Sequence, residues 1–81
     1  MPYVYIVQCN DETLYTGWTT DIERRINEHN RGIGSKYTRA RLPVELKHLE
    51  KYKTKKDAMK REWQIKKMSR KDKLNLIGTE K

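Results

Sequence analysis

Five consecutive β-branched and aromatic residues, Tyr3-Val4-Tyr5-Ile6-Val7, form the longest apolar run in this 81-residue chain. The run is far short of the roughly 18 residues needed to cross a bilayer, and its β-branched content favours a strand over a helix. Cys9-Asn10-Asp11-Glu12 follows with turn chemistry, and Leu14-Tyr15-Thr16 then repeats the strand composition. The two segments are expected to pair as a β-hairpin. At this length there is room for one domain, spanning 1–81, which buries only about 60% of the surface its unfolded chain exposes. Cys9 is the sole cysteine, and His29 and His48 are the only histidines. Neither a disulfide nor a zinc cluster is therefore available, and packing alone has to hold the fold.

Capping signals mark the remaining elements. Thr20-Asp21-Ile22-Glu23 has the form of a capping box, and Gly32 suits a left-handed stop, so a helix is expected from about Asp21 to Asn30. Gly32 to Pro43 lacks sustained periodicity and carries Lys36, Arg39 and Arg41, which reads as a basic surface loop. Alternation over Pro43-Val44-Glu45-Leu46-Lys47-His48-Leu49 argues a third strand with Pro43 at its start. Thr54 opens a helix running to about Met68, and a shorter one begins at Ser69 and ends at Gly78. The expected class is α+β, a small three-stranded antiparallel sheet flanked by helices in the order β-β-α-β-α-α.

Charge is distributed unevenly. Residues 1–50 hold seven Lys/Arg and seven Asp/Glu, whereas residues 51–81 hold twelve and four, so the whole excess of +8 lies in the last 31 residues. Such a block favours polyanions such as nucleic acid or an anionic membrane surface, through counterion release and long-range attraction, without specifying either. Without a spanning helix or a signal-peptide pattern the chain is expected to be cytoplasmic, off the membrane, and a monomer or weak homodimer.

Several residues sit awkwardly in a plain scaffold. At 100° per residue with Ala58 at zero, Ile65, Met68, Met59 and Trp63 define an apolar arc centred at about 30°, and Glu62 falls near 40°. A carboxylate there needs compensation, either an i,i+4 pair with Lys66 or a ligand such as a metal. On the first helix Arg25 and His29 share a face bordering Ile22 and Ile26; Arg25 is either a solvated border residue or a planar fork for a phosphate. Tyr5 and Tyr15 lie ten residues apart on partner strands, as packing residues or as a pair of phenols. Trp18 and Tyr37 are either core residues or platforms for bases.

Taken together these residues resemble the GIY-YIG nuclease domain over most of the chain. Tyr3-Val4-Tyr5 stands at the first triplet and Tyr15-Thr16-Gly17 at the second, with Tyr3 in place of a glycine and Thr16 in place of an isoleucine. Arg25 occupies the position of the family's arginine, His29 that of a Tyr or His one turn on, and Glu62 that of its metal-binding glutamate. The run from Leu14 through Arg24-Arg25 and Lys36-Tyr37-Thr38 to Leu46 is similar to a small stand-alone bacterial branch of the family. The resemblance implies a Mg²⁺-dependent (or Mn²⁺-dependent) endonuclease acting on DNA, with repair or recombination as its setting. Glu62 would hold the metal and Arg25 would neutralise charge in the transition state. Tyr15 would be the base, with Tyr5 as its positioning partner and His29 assisting. A free phenol, with a pKa of about 10, needs nearby positive charge to serve as a base at neutral pH. Trp18, Lys36, Tyr37, Arg39, Arg41, Lys66 and Lys67 are the expected nucleic-acid contacts. The alternative is a nucleic-acid-binding module without turnover.

Overall fold

The computed structural model describes residues 1–78, so Glu80 and Lys81 of the basic segment lie outside the described residues. Strands β1 (Tyr3–Gln8), β2 (Leu14–Thr19) and β3 (Glu45–Lys51) form an antiparallel sheet in the order β2-β1-β3. The helices are α1 (Ile22–Asn30), α2 (Lys36–Arg39), α3 (Lys55–Lys66) and α4 (Arg70–Ile77). The expected class and order hold, with one short helix added between α1 and β3.

The apolar run explains the layering. β1 is the middle strand, and Val4, Tyr5, Ile6 and Val7 are all buried. Because successive side chains leave opposite faces, Val4 and Ile6 form one core with Ala58 and Ile65 of α3. Tyr5 and Val7 form the other with Cys9 and Val44, against which Ile22 and Ile26 of α1 pack. The sheet is thus covered on both sides. Thr16 pairs with Ile6 in register and is 4% exposed, and among the described residues its hydroxyl has no hydrogen-bond partner. An unpaired buried hydroxyl costs about 1–3 kcal/mol. That cost comes with threonine at the position where the triplet this segment resembles has isoleucine.

Three local expectations shift. The N-cap of α1 is Asp21, not Thr20; its carboxylate accepts from the Arg24 amide at 3.1 Å. A charged acceptor suits the positive end of a helix better than a hydroxyl does. Within the expected basic loop, Ser35 caps α2 by accepting the Thr38 amide at 3.1 Å. A single turn has no apolar periodicity to announce it. β3 starts at Glu45 instead of Pro43, and Val44 goes into the core beneath it, held by Asn30, which accepts from the Val44 amide at 2.7 Å. The caps Thr54, Ser69 and Gly78 are as expected, Gly78 adopting φ 80°.

On the α3 side, Arg61 donates to Glu50 of β3 through Nε at 2.8 Å and Nη2 at 3.1 Å, and Tyr52 donates at 2.6 Å. His48 Nε2 lies 2.7 Å from the same carboxylate. Burial alone pushes the Glu50 carboxyl up, but the donors Arg61, His48 and Tyr52 outweigh it and hold the pKa at about 2. A carboxylate with a depressed pKa contributes stability that is complete above its unfolded value of 4.5 and is lost as pH falls toward about 2. Glu50→Gln is therefore expected to cost about 1–2 kcal/mol at pH 7 after allowance for solvent screening. In urea unfolding the gap from wild type should close as pH drops below 4.5; a gap independent of pH would show that the charge is not the stabilising element.

Candidate active site

β1 and α1 meet where Tyr5 faces the helix. Tyr5 is 1% exposed and its hydroxyl lies 2.8 Å from Nε2 of His29, itself fully buried. Arg25, one turn earlier on α1, donates from Nε to the same hydroxyl at 3.3 Å. With its oxygen accepting from Arg25, the phenol has its proton free for His29 Nε2. The other ring nitrogen, Nδ1, then carries the imidazole proton and donates to Thr38 Oγ1 at 2.8 Å. Thr38, buried in α2, continues the chain to Ser35, whose Oγ lies 2.9 Å away. A connected relay therefore runs Tyr5–His29–Thr38–Ser35.

The electrostatics favour neutral members in that relay. Burial pushes the Tyr5 phenol up from its ordinary value, outweighing the hydrogen bond and charge of Arg25 that lower it. Burial also lowers the His29 pKa, and the charge of Arg25 adds to the effect. Near neutral pH Tyr5 is a protonated donor and His29 a neutral acceptor. The positive charge that a phenolic base requires is present in Arg25, yet at Tyr5 the burial effect is larger.

Tyr15 comes to the same place from β2. Its ring centroid is 6.5 Å from that of Tyr5 and 5.3 Å from that of His29, and it stacks on Tyr37 at 6.0 Å. Register explains the approach: Val7 pairs with Tyr15 and Tyr5 with Gly17, which puts all four positions on the α1 side of the sheet. Glycine at position 17 leaves room for the phenol, since a Cβ there would lie 2.5 Å from the Tyr5 hydroxyl oxygen and force the ring to shift.

Arg25 is anchored on three sides. Besides Tyr5, it reaches Glu28 Oε1 from Nη1 at 3.2 Å and the Gly34 carbonyl from Nη2 at 2.9 Å. Of its five N–H groups two remain for a ligand. Arg25 helps line a polar cleft with Trp18, Thr19, Thr20, Arg24, Glu28 and Lys55.

Glu62 projects from α3, half-buried, and pairs with Lys66 at 3.6 Å, the i,i+4 contact foreseen from spacing. Its charge reaches the Tyr5 hydroxyl, where it acts to raise the phenol pKa. Among the described residues no three His, Cys, Asp or Glu side chains converge as a metal cage. One carboxylate is nevertheless enough for a hard cation that keeps waters and takes its remaining oxygens from a phosphate, which is how Mg²⁺ is commonly held. The residues present fit that kind of metal.

The expected nucleic-acid contacts divide. Lys66 lines a groove beside Tyr15 together with Leu14, Thr16, Tyr37 and Lys73, and Lys36 and Arg39 are exposed on α2. Tyr37 is already stacked on Tyr15, with the Arg41 guanidinium 4.0 Å above its ring. Arg41 also pairs with Asp11 at 3.1 Å. Trp18 packs on the Val4–Ile65 core and lines the Arg25 cleft with what remains exposed. Lys67 lies over the ring of Trp63 at 3.9 Å. Ser35 and Gly34 carry no functional signal in the sequence and Thr38 stands out only within Lys36-Tyr37-Thr38, although Ser35 three residues before Thr38 is a capping residue that flags the turn.

Comparison with known proteins bears on this geometry. Residues 1–75 match the family profile described as the GIY-YIG catalytic domain. A UPF0213 protein of Clostridium perfringens is 53% identical over 79 residues, covering 98% of this chain and 85% of that one. One from Natronomonas pharaonis is 55% identical over 78 residues, covering 96% and 92%, so the similar branch extends to archaea. The solution NMR structure of a UPF0213 protein from Bacillus halodurans is 43% identical, with a TM-score of 0.62 over 99% of this chain and 86% of that one. No helix among the described residues is long and apolar enough to cross a membrane.

Proposed function

The chain belongs to the GIY-YIG catalytic domain family, and on that footing we propose that it is a metal-dependent endonuclease hydrolysing phosphodiester bonds in DNA. The observation that carries this reading is the convergence of Tyr5, Tyr15, Arg25 and His29 from three separate elements, with the charge of Glu62 in reach. Arg25 binds the scissile phosphate through its two unengaged N–H groups and offsets the charge that builds on the phosphoryl oxygens. Glu62 would hold Mg²⁺ or Mn²⁺, which polarises the phosphate and stabilises the departing oxygen. Tyr15 takes the proton of the attacking water as the new P–O bond forms and the bond to the leaving oxygen breaks. Tyr5, kept protonated and fixed by His29, positions Tyr15 and the nucleophile. Thr38 holds the His29 ring in the tautomer that accepts from Tyr5.

Incubation of the purified chain with nicked, branched and linear DNA in Mg²⁺ or Mn²⁺ tests the proposal. The expected result is cleavage that stops with EDTA and in Glu62→Ala. Salt-dependent binding with no cleavage above the Glu62→Ala control would overturn hydrolysis in favour of a binding module, whose affinity comes from phosphate contacts.

A further inference from the structure

Spacing places Met59 and Trp63 on the apolar arc of α3, but the structure leaves them 51% and 59% exposed. They stand one turn apart, at i and i+4, and so form one row on the outside of the helix. At 100° per residue, Lys55 and Lys66 border that row on the side toward Glu62, and Lys56, Lys60 and Lys67 border it on the other. All five lysines are exposed. Starting from Glu62 and moving outward, the helix surface presents lysine, an apolar-aromatic row, then lysine again, with no further acid until Asp57 on the far side.

We infer that this face binds a single-stranded nucleic acid, with Trp63 stacking on an unpaired base and the flanking lysines holding the backbone. Exposed tryptophan and methionine beside one another lose the benefit of burial and point to an occupant. Five ammonium groups around them select a polyanion, and a flat indole among phosphate-binding lysines matches a ligand with both phosphates and accessible π-faces. A duplex offers its phosphates to such a surface but keeps its base faces stacked. Lys67, poised over the indole, is placed to move onto a phosphate when a base takes its position. Binding itself needs no turnover. Its consequence for cleavage, that substrates carry unpaired bases beside the scissile phosphate, rests on the endonuclease reading, since Glu62 lies on the adjoining side of the same helix.

Tryptophan emission gives a direct test, because Trp18 is packed on the core and Trp63 is exposed. In EDTA, so that no cleavage intervenes, oligo(dT) or oligo(U) is expected to quench the emission. Trp63→Ala should remove most of the quenching, leaving only what Trp18 contributes at the Arg25 cleft, and weaken oligonucleotide binding about tenfold, with duplex binding changed less than twofold. Lys60→Glu should weaken binding while retaining quenching at saturation. The two oligonucleotides distinguish DNA from RNA, and quenching by either supports the site. An equal loss for duplex and single strand, no quenching by either oligonucleotide, or a Trp63→Ala effect confined to self-association or to anionic vesicles would overturn it. A chain that binds in this way yet cuts nothing would refute hydrolysis alone.

Discussion

Arg25→Ala is expected to lower the single-turnover rate of DNA cleavage by about 10³-fold, the effect of removing a preorganised donor aimed at developing phosphoryl charge. The side chain enters the reaction already oriented: Nε on Tyr5, Nη1 on Glu28 and Nη2 on the Gly34 carbonyl leave little freedom in the guanidinium plane. That preorganisation separates Arg25 from the exposed basic residues of the same surface, whose charges reorganise with solvent. Arg25→Lys keeps the charge but not the fork, so it should recover no more than a tenth of the lost rate. Loss of the three contacts should also cost about 1–2 kcal/mol of stability, and a thermal melt monitored by circular dichroism will show a folded variant. A rate loss under tenfold would mean that Arg25 serves only to tie α1 to the loop that precedes α2.

Much of this arrangement was legible because it depends on neighbours in sequence. The β1–β2 hairpin follows from two β-branched runs with a turn between them, and the caps at Thr54, Ser69 and Gly78 are local hydrogen-bonding choices. Tyr5 and Tyr15 could be brought together from strand register, and Arg25 with His29 from helix periodicity. Helical periodicity overstates the buried arc of α3, because it takes every apolar residue as facing inward. The buried members are Ala58 and Ile65, with Met68 packed on them, so the contact stripe is narrow and Met59 and Trp63 fall outside it. A small alanine at the contact lets the helix lie close to the sheet along one row, and nothing in α3 alone reports how wide the opposing surface is. The outer half of the relay was hidden for the opposite reason. Thr38 matters through His29, nine positions away and on another helix, and no periodic pattern links a single turn in a basic segment to a buried imidazole.

Gly34→Ala tests that hidden link, and a loss of about 3 kcal/mol or more in denaturant unfolding is the expected result. A Cβ at Gly34 would meet the His29 ring at Nδ1 and would stand 2.8 Å from His29 Cα. Overpacking in a filled interior commonly costs 1–3 kcal/mol, and the lower part of that range applies when a flexible side chain can swing clear. Here one obstacle is helix backbone and the other is a ring held at both nitrogens, by Tyr5 and by Thr38. Relief requires the loop carrying Gly34 to retreat from α1, which withdraws the carbonyl that accepts from Arg25. Gly17→Ala makes the informative contrast. The atoms nearest its new methyl group all belong to the far end of Tyr5, so the ring can tilt at a cost of about 1–2 kcal/mol while its hydroxyl leaves His29. The two variants should therefore separate the functions of the site, Gly34→Ala losing structure and activity together, Gly17→Ala staying folded with slowed cleavage. Equal stability loss in both would mean that Tyr5 yields no more readily to a methyl group at position 17 than His29 does to one at position 34.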